Sequence, residues 1–146
     1  MGLLIHELIH FTISLLVGLL LYRKYKDYRL IIASLLFGVF IDLDHFIDFF
    51  LNYGFNLNLD NFFAGNYFDE SGKVYVLFHG WEFLPIYWLT GRLIGKKLKI
   101  KGLEWAIVLS IAGHLLFDSL AYTHHPLAYF FTHRLLNNFT LTAFHG

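Results

Sequence analysis

Eleven side chains able to ligate a metal or move a proton interrupt otherwise apolar stretches of this chain. They are His6, Glu7 and His10, then Asp42, Asp44, His45 and Asp48, then His79 and Glu82, and last His114 and Asp118. Charge in hydrocarbon is costly, so an ionisable residue inside such a stretch marks a functional site by default. No Lys or Arg stands beside these groups in sequence to pair with them. Imidazoles and carboxylates gathered without basic partners have the chemistry of a bound metal cation.

Spacing sorts the groups. His6-Glu7-Leu8-Ile9-His10 matches HExxH, which on a helix sets two histidines on one face with a glutamate able to polarise water. Intramembrane metalloproteases carry this motif in a spanning helix, and a pair of interfacial histidines is the plainer alternative. Asp42 and His45 are at i,i+3 and share a helix face, whereas Asp44 points roughly 200° away on a regular helix and would share a face with Asp48. Two faces would serve two metals, unless the helix deforms here or the acids are solvated at its end. His114 and Asp118 at i,i+4 share a face, as two ligands or as a structural hydrogen-bonded pair. His79 and Glu82 are at i,i+3, and Glu82 is a candidate ligand or general base. His124, His125, His133 and His145 read as solvated or interfacial.

The elements that must position these groups are helices in a bilayer. A span needs about 20 mostly apolar residues, and 3–22, 30–51, 74–93 and 103–121 each fit. The first lacks a basic leader and a small-residue cleavage site, so it reads as mature structure. Nine of the eleven basic residues fall in two loops, Arg23–Arg29 and Arg92–Lys101. The positive-inside rule makes both loops cytoplasmic and sends both termini and the 52–73 loop outward. At about 1.5 Å per residue, His10, Asp44, Glu82 and Asp118 then lie within roughly 12 Å of the outer boundary. Four segments of alternating direction bring their polar residues to one depth. The inner halves, such as Leu15–Leu21 and Ile31–Phe37, are apolar, which opposes a transport path.

Composition agrees. The 146 residues are 57% hydrophobic with mean hydropathy +0.55, above the ~45–50% of ordinary soluble domains. Net charge is zero, so no basic field invites nucleic acid. The absence of cysteine leaves His, Asp and Glu as metal ligands. The 52–73 loop, rich in Phe and Tyr, reads as an interfacial connection or a lid. The tail 126–144 reads as an amphipathic interfacial helix.

The order of motifs resembles a family of small bacterial and archaeal membrane proteins described as inner-membrane, metal-dependent hydrolases. Gly38-Val-Phe-Ile-Asp42-Leu-Asp44-His45 resembles its G-x-x-P-D-x-D-H, with Ile41 in place of the proline. Gly113-His114-Leu-Leu-Phe-Asp118 through Pro126-Leu-Ala-Tyr-Phe resembles its S-H-L-L-x-D-x-x-T-P and following P-L-x-x-P-F. His10 with Ser14 and Gly18 resembles its T-H-x-x-x-G, and His79-Gly80-Trp81 resembles the end of its H-R-G-x-T-H-S, whose His-Arg is missing here. The family's His/Asp pattern is similar to the metal sites of zinc phospholipase C and P1-type nucleases.

The expectation is therefore an all-α polytopic membrane protein, a single membrane domain formed by a four-helix transmembrane bundle with a C-terminal interfacial helix. It would sit in the cytoplasmic membrane with both termini outside and a site towards the extracytoplasmic face. The expected activity is metal-dependent hydrolysis of a phosphoester in a lipid or lipid-linked substrate at the outer leaflet. The cofactor would be one or two divalent ions, Zn²⁺ first. Candidate ligands are His6, His10, Asp42, Asp44, His45, His79, His114 and Asp118, with Glu82 and then Glu7 as the general base. The alternatives are an HExxH protease and a non-enzymatic metal-binding protein.

Overall fold

A computed structural model describes residues 3–56, 58–123 and 125–145; His124 lies outside the described residues. The elements are helical: α1 (Leu3–Tyr25), α2 (Arg29–Val39), a 3₁₀ turn (Phe40–Asp44), α3 (His45–Tyr53), α4 (Leu59–Ala64), α5 (Tyr67–Ser71), a second 3₁₀ turn (Trp81–Phe83), α6 (Leu84–Leu98), α7 (Leu103–Ala121), α8 (Phe131–Leu136) and α9 (Leu141–His145). Among the described residues there is no strand, and pairing outside helices is confined to an isolated bridge between Lys73 and Thr140.

Three segments are long and apolar enough to cross a membrane: Ile5–Tyr25, Arg29–Tyr53 and Leu103–Ala121. Their outward faces carry Leu8, Leu16, Leu20, Ile32, Leu36, Leu109 and Leu116, all exposed. A continuous apolar surface of this kind suits a lipid environment and would drive association in water. The expected span over 74–93 takes another form. Its helix, α6, begins only at Leu84 and has 15 residues, about 22 Å against a hydrocarbon core of about 30 Å. Pro85 stands in the first turn of α6, where a missing N–H costs nothing. Before it, Val76 has φ +33°, which a β-branched residue rarely adopts and which a helix does not tolerate.

The chain divides into two compact units. The first contains Met1–Ile41 and Glu82–Phe117, that is, α1, α2, α6 and most of α7. Its helices meet through small residues. A Cβ on Gly18 would stand 2.7 Å from Ile31 Cα, and one on Gly91 would stand 2.8 Å from Glu104 Cα. A Cβ on Gly38 would strike the Ser14 hydroxyl and come within 2.9 Å of Ser110 Cβ. Ser14, Ser34 and Ser110 are fully buried. Close backbone approach through Gly and Ser is how helices associate where no hydrophobic gain separates protein from lipid.

The second unit contains Asp42–Trp81 and Asp118–Gly146. Aromatic contacts fold the loop back on α3: Phe62 stacks on Phe46 with centroids 4.2 Å apart, and Phe49 is fully buried with Tyr67 against it. Phe55 and Phe63 remain exposed. The irregular segment 74–81 has its backbone groups satisfied from both sides, as buried polar backbone requires. Asp48 accepts the Tyr75 and Val76 N–H groups at 2.6 and 3.0 Å. The tail supplies carbonyls: Val74 N–H donates to Phe139 and Trp81 N–H to Tyr129. The tail itself is two short helices rather than one long one, because Asn138 and Phe139 both take positive φ.

Candidate metal centre

The 3₁₀ turn decides where the acidic motif points. Over Phe40–Asp44 the helix tightens, and at three residues per turn the angular step between Asp42 and Asp44 changes from the α-helical one. Both carboxylates then reach one imidazole. Asp44 Oδ2 lies 2.9 Å from His79 Nδ1, and Asp42 Oδ1 lies 3.1 Å from His79 Nε2. Asp44 Oδ2 also accepts the Phe78 N–H at 2.7 Å. Asp44 and His79 are almost fully buried, and Asp42 is partly exposed.

Three further groups complete this cluster within the second unit. His45 Nε2 is 3.3 Å from Asp42 Oδ1, and Asp118 Oδ2 is 4.0 Å from His79 Nε2. Tyr67 Oη stands 3.4 Å from His45 Nδ1. Asp42, His79 and Asp118 each offer a ligand atom within 4.8 Å of the others, and so do Asp44, His45 and His79. Two ligand atoms on a tetrahedral zinc, at bonds of about 2.0–2.1 Å, stand roughly 3.3 Å apart. The separations of 3.1, 3.3 and 4.0 Å around Asp42 and His79 bracket that value. The donor set, imidazole nitrogen with carboxylate oxygen, is one that zinc accepts.

The partners at the Nδ1 atoms differ in consequence. An ionised carboxylate only accepts, so Asp44 requires a proton on His79 Nδ1 and turns Nε2 towards Asp42 and Asp118. A carboxylate behind a ligating histidine fixes its tautomer and raises its basicity. Tyr67 can donate or accept and therefore serves either tautomer of His45. Burial, followed by the charges of Asp48, Asp42 and Asp44, pushes the Tyr67 phenol well above its usual pKa and keeps it protonated. Tyr129, whose ring centroid is 6.3 Å from that of His79, is raised in the same way by burial and by Asp118.

Arg134 is the residue that the sequence pattern hid. It falls in the tail among Leu135, Leu136 and Phe131 and reads there as the polar face of a surface helix. The side chain is instead 2% exposed. Its guanidinium donates to the carbonyls of Ala128 at 2.8 Å, Val76 at 3.0 Å and His79 at 2.8 Å. A fork of five donors suits three carbonyls on two chain segments. The local signal that could have found it is weak: a lone Arg among apolar residues, followed by the Asn-Phe break.

The first unit holds a histidine group of its own. His6 and His10 Nε2 atoms are 2.8 Å apart, a hydrogen-bond distance shorter than two ligands on one zinc would keep. His10 stacks on His114 with centroids 3.6 Å apart, and Phe117 closes over both His6 and His10. His114 Nδ1 donates to Gly38 O at 2.9 Å, at the C-terminal end of α2. That bond leaves Nε2 as the basic nitrogen of His114. Glu7 and His6 offer ligand atoms within 4.8 Å of each other, while Glu82 sits half-buried in the second 3₁₀ turn. Of the remaining histidines, His125 and His133 stack on each other at 4.5 Å, and His145 is exposed.

Comparison with protein-family models, with curated proteins and with solved structures gives no match to this chain.

Proposed function

We propose that the chain is an integral membrane protein that hydrolyses a phosphoester in a lipid or lipid-linked substrate, using a divalent metal held by the second unit. The carrying observation is the arrangement around His79: one nitrogen on buried Asp44, the other turned to Asp42 and Asp118. Asp42, His79 and Asp118 would hold the ion, with His45 as a further donor and Asp44 orienting His79. A divalent ion held there would supply Lewis acidity towards a phosphoryl oxygen and would acidify a water near neutral pH. Of the residues of this chain, Arg134 fixes the His79 backbone, and Glu82, then Glu7, would be the general base. The resemblance of the Asp42–His45 and His114–Asp118 motifs to the metal-dependent hydrolase family supports the same reading. So does the position of every candidate residue away from the basic loops, which argues for a site opening to the extracytoplasmic side of the cytoplasmic membrane. Zn²⁺ is the first choice of ion on donor chemistry.

The test has two parts. Detergent-purified full-length protein is assayed for bound metal before and after dialysis against chelator and reloading with Zn²⁺, in parallel with Asp118→Asn and His79→Ala. The same samples are then offered a panel of phosphomonoester and phosphodiester lipids. Wild type that neither retains nor rebinds metal overturns the centre. Binding without turnover of any phosphoester overturns the hydrolase and leaves a metal-binding protein. If Glu82→Gln abolishes phosphoesterase activity and Glu7→Gln leaves it intact, the HExxH protease reading falls; peptide cleavage that Glu7→Gln abolishes, with no phosphoester turned over by wild type, replaces this reading with the protease.

A further inference from the structure

We propose a second site, unrelated to the metal centre: a phosphate-binding pocket in the first unit, built by the two basic loops and fitted to the headgroup of an acidic phospholipid. A cavity of about 540 Å³ is lined by Tyr25, Lys26, Asp27, Tyr28, Arg29, Lys99 and Lys101. That volume falls within the roughly 300–1,000 Å³ of small-ligand sites. Four of its seven lining residues are cations and one is an anion, so the cavity carries a positive field.

The pocket is framed by backbone geometry. Lys26 and Lys99 both adopt left-handed backbone, with φ +58° and +55°, a conformation that costs a non-glycine residue and marks a tightly specified turn. Each is a turn at the end of a helix: Lys26 N–H donates to Tyr22 O, and Lys99 N–H to Gly95 O and Lys96 O. Arg29 joins them. Its fork grips Asp27, with Nη2 at 2.6 Å from Oδ2, and the same nitrogen reaches Lys99 O at 3.4 Å. The bond to Arg29 holds the Asp27 carboxyl below its usual pKa, so the frame is charged at neutral pH. Tyr25 is held as a wall by Gly102, where a Cβ would stand 2.6 Å from its ring.

Arg29 is thus committed to Asp27, and the lysines are what remains for a ligand. Among the described residues, Lys26, Lys99 and Lys101 have no ion-pair partner. The three lysines are exposed along one cavity, where a phosphate anion would gain charge-assisted hydrogen bonds from them. Basic pockets between membrane helices at the basic-loop side bind anionic headgroups on this principle. Inorganic phosphate carries the same chemistry, so the two sources must be separated by experiment.

The experiment measures thermal midpoint and native-mass-spectrometry occupancy of the detergent-purified full chain. Three probes are added separately: short-chain phosphatidylglycerol, short-chain phosphatidylcholine and inorganic phosphate. The variants are Lys26→Gln/Lys99→Gln/Lys101→Gln in the pocket and Lys24→Gln/Lys96→Gln/Lys97→Gln outside it. Phosphatidylglycerol is expected to bind wild type and raise its midpoint, phosphatidylcholine to do neither, and the pocket variant to lose affinity about five-fold per lysine. An equal response to inorganic phosphate, lost in the same variant, supports the pocket and assigns it to the free anion. Equal losses in both triple variants, or no preference for phosphatidylglycerol over phosphatidylcholine, overturn the proposal in favour of diffuse surface charge.

Discussion

Asp44 Oδ2 and His79 Nδ1 are 2.9 Å apart, both buried, and the same oxygen takes the Phe78 N–H at 2.7 Å. One carboxylate oxygen therefore fixes both the backbone and the ring of a single histidine. That makes Asp44 an orienting group, in contrast to Asp42, whose Oδ1 faces two imidazole Nε2 atoms at 3.1 and 3.3 Å. The two aspartates predict different losses. Asp44→Asn keeps shape and can still bond Nδ1, but it no longer dictates the tautomer. Metal affinity is expected to fall about 10–100-fold, as for other orienting partners. Asp42→Asn removes a proposed ligand and is expected to abolish stoichiometric binding. Chelator-competition titrations of both variants check this; equal, mild losses would show that neither acid is a ligand.

Arg134 predicts a stability effect with a defined location. Three buried carbonyls lose their donor in Arg134→Met, and hydrogen bonds to charged groups are worth about 1.5–3 kcal/mol each. A loss of roughly 3 kcal/mol or more follows, concentrated on residues 74–81. Hydrogen exchange should rise at Tyr75, Val76 and His79 before it rises in α1 or α7. Arg134→Lys keeps the charge without the planar fork and should recover only part of the protection. Uniform loosening of the whole chain would instead make Arg134 a general packing residue.

Much of this was legible in the sequence, and the omissions have physical causes. Helix class and three of the spans follow from apolar length alone. The pairing of Asp42 with His45 follows from i,i+3 spacing, and the structure holds them 3.3 Å apart. The direction of Asp44 was not legible, because periodicity assumes a regular helix and the chain makes a 3₁₀ turn over Phe40–Asp44. The segment before Leu84 misleads in a similar way. It is apolar enough for a span, yet its backbone is held open by Asp48, Asp44 and Arg134, which come from distant parts of the chain. Hydropathy registers composition; it does not register a non-local carboxylate competing for a backbone N–H. Arg134 was missed for the same reason, since its partners lie up to 58 residues away.

Gly38 links packing to the histidines of the first unit. Its carbonyl accepts from His114 Nδ1 at 2.9 Å, and its α-carbon faces Ser14 and Ser110 with no room for a methyl group. Gly38→Ala is expected to cost about 1–3 kcal/mol through overpacking, read as a lower thermal midpoint in detergent. Adding Ser14→Gly should recover part of the loss. Recovery should stay incomplete, because Ser110 Cβ would still lie 2.9 Å from the new methyl. No loss in Gly38→Ala would mean that α1, α2 and α7 pack less closely than this.

The two basic loops meet at one end of the first unit, where Arg29 Nη2 reaches Lys99 O at 3.4 Å. α1 ends there, α2 begins there, α6 ends there and α7 begins there. Loops brought together in this way must lie on one side of any membrane that α1 and α7 cross, and the positive-inside rule predicts that side to be cytoplasmic. The short α6 does not alter this, because Leu84 need not reach the far boundary for Leu98 to stand at the near one. A reporter active only in the cytoplasm should therefore signal when fused at Lys97 and stay silent at Asn61, with the reverse for a reporter active only outside. Removing the charges of Lys96, Lys97, Lys99 and Lys101 together should weaken that bias, while removing Lys73 should leave it unchanged. Matching signals at Lys97 and Asn61 would mean that Arg29–Tyr53 does not cross, and the proposed extracytoplasmic opening of the site would lose its topological basis.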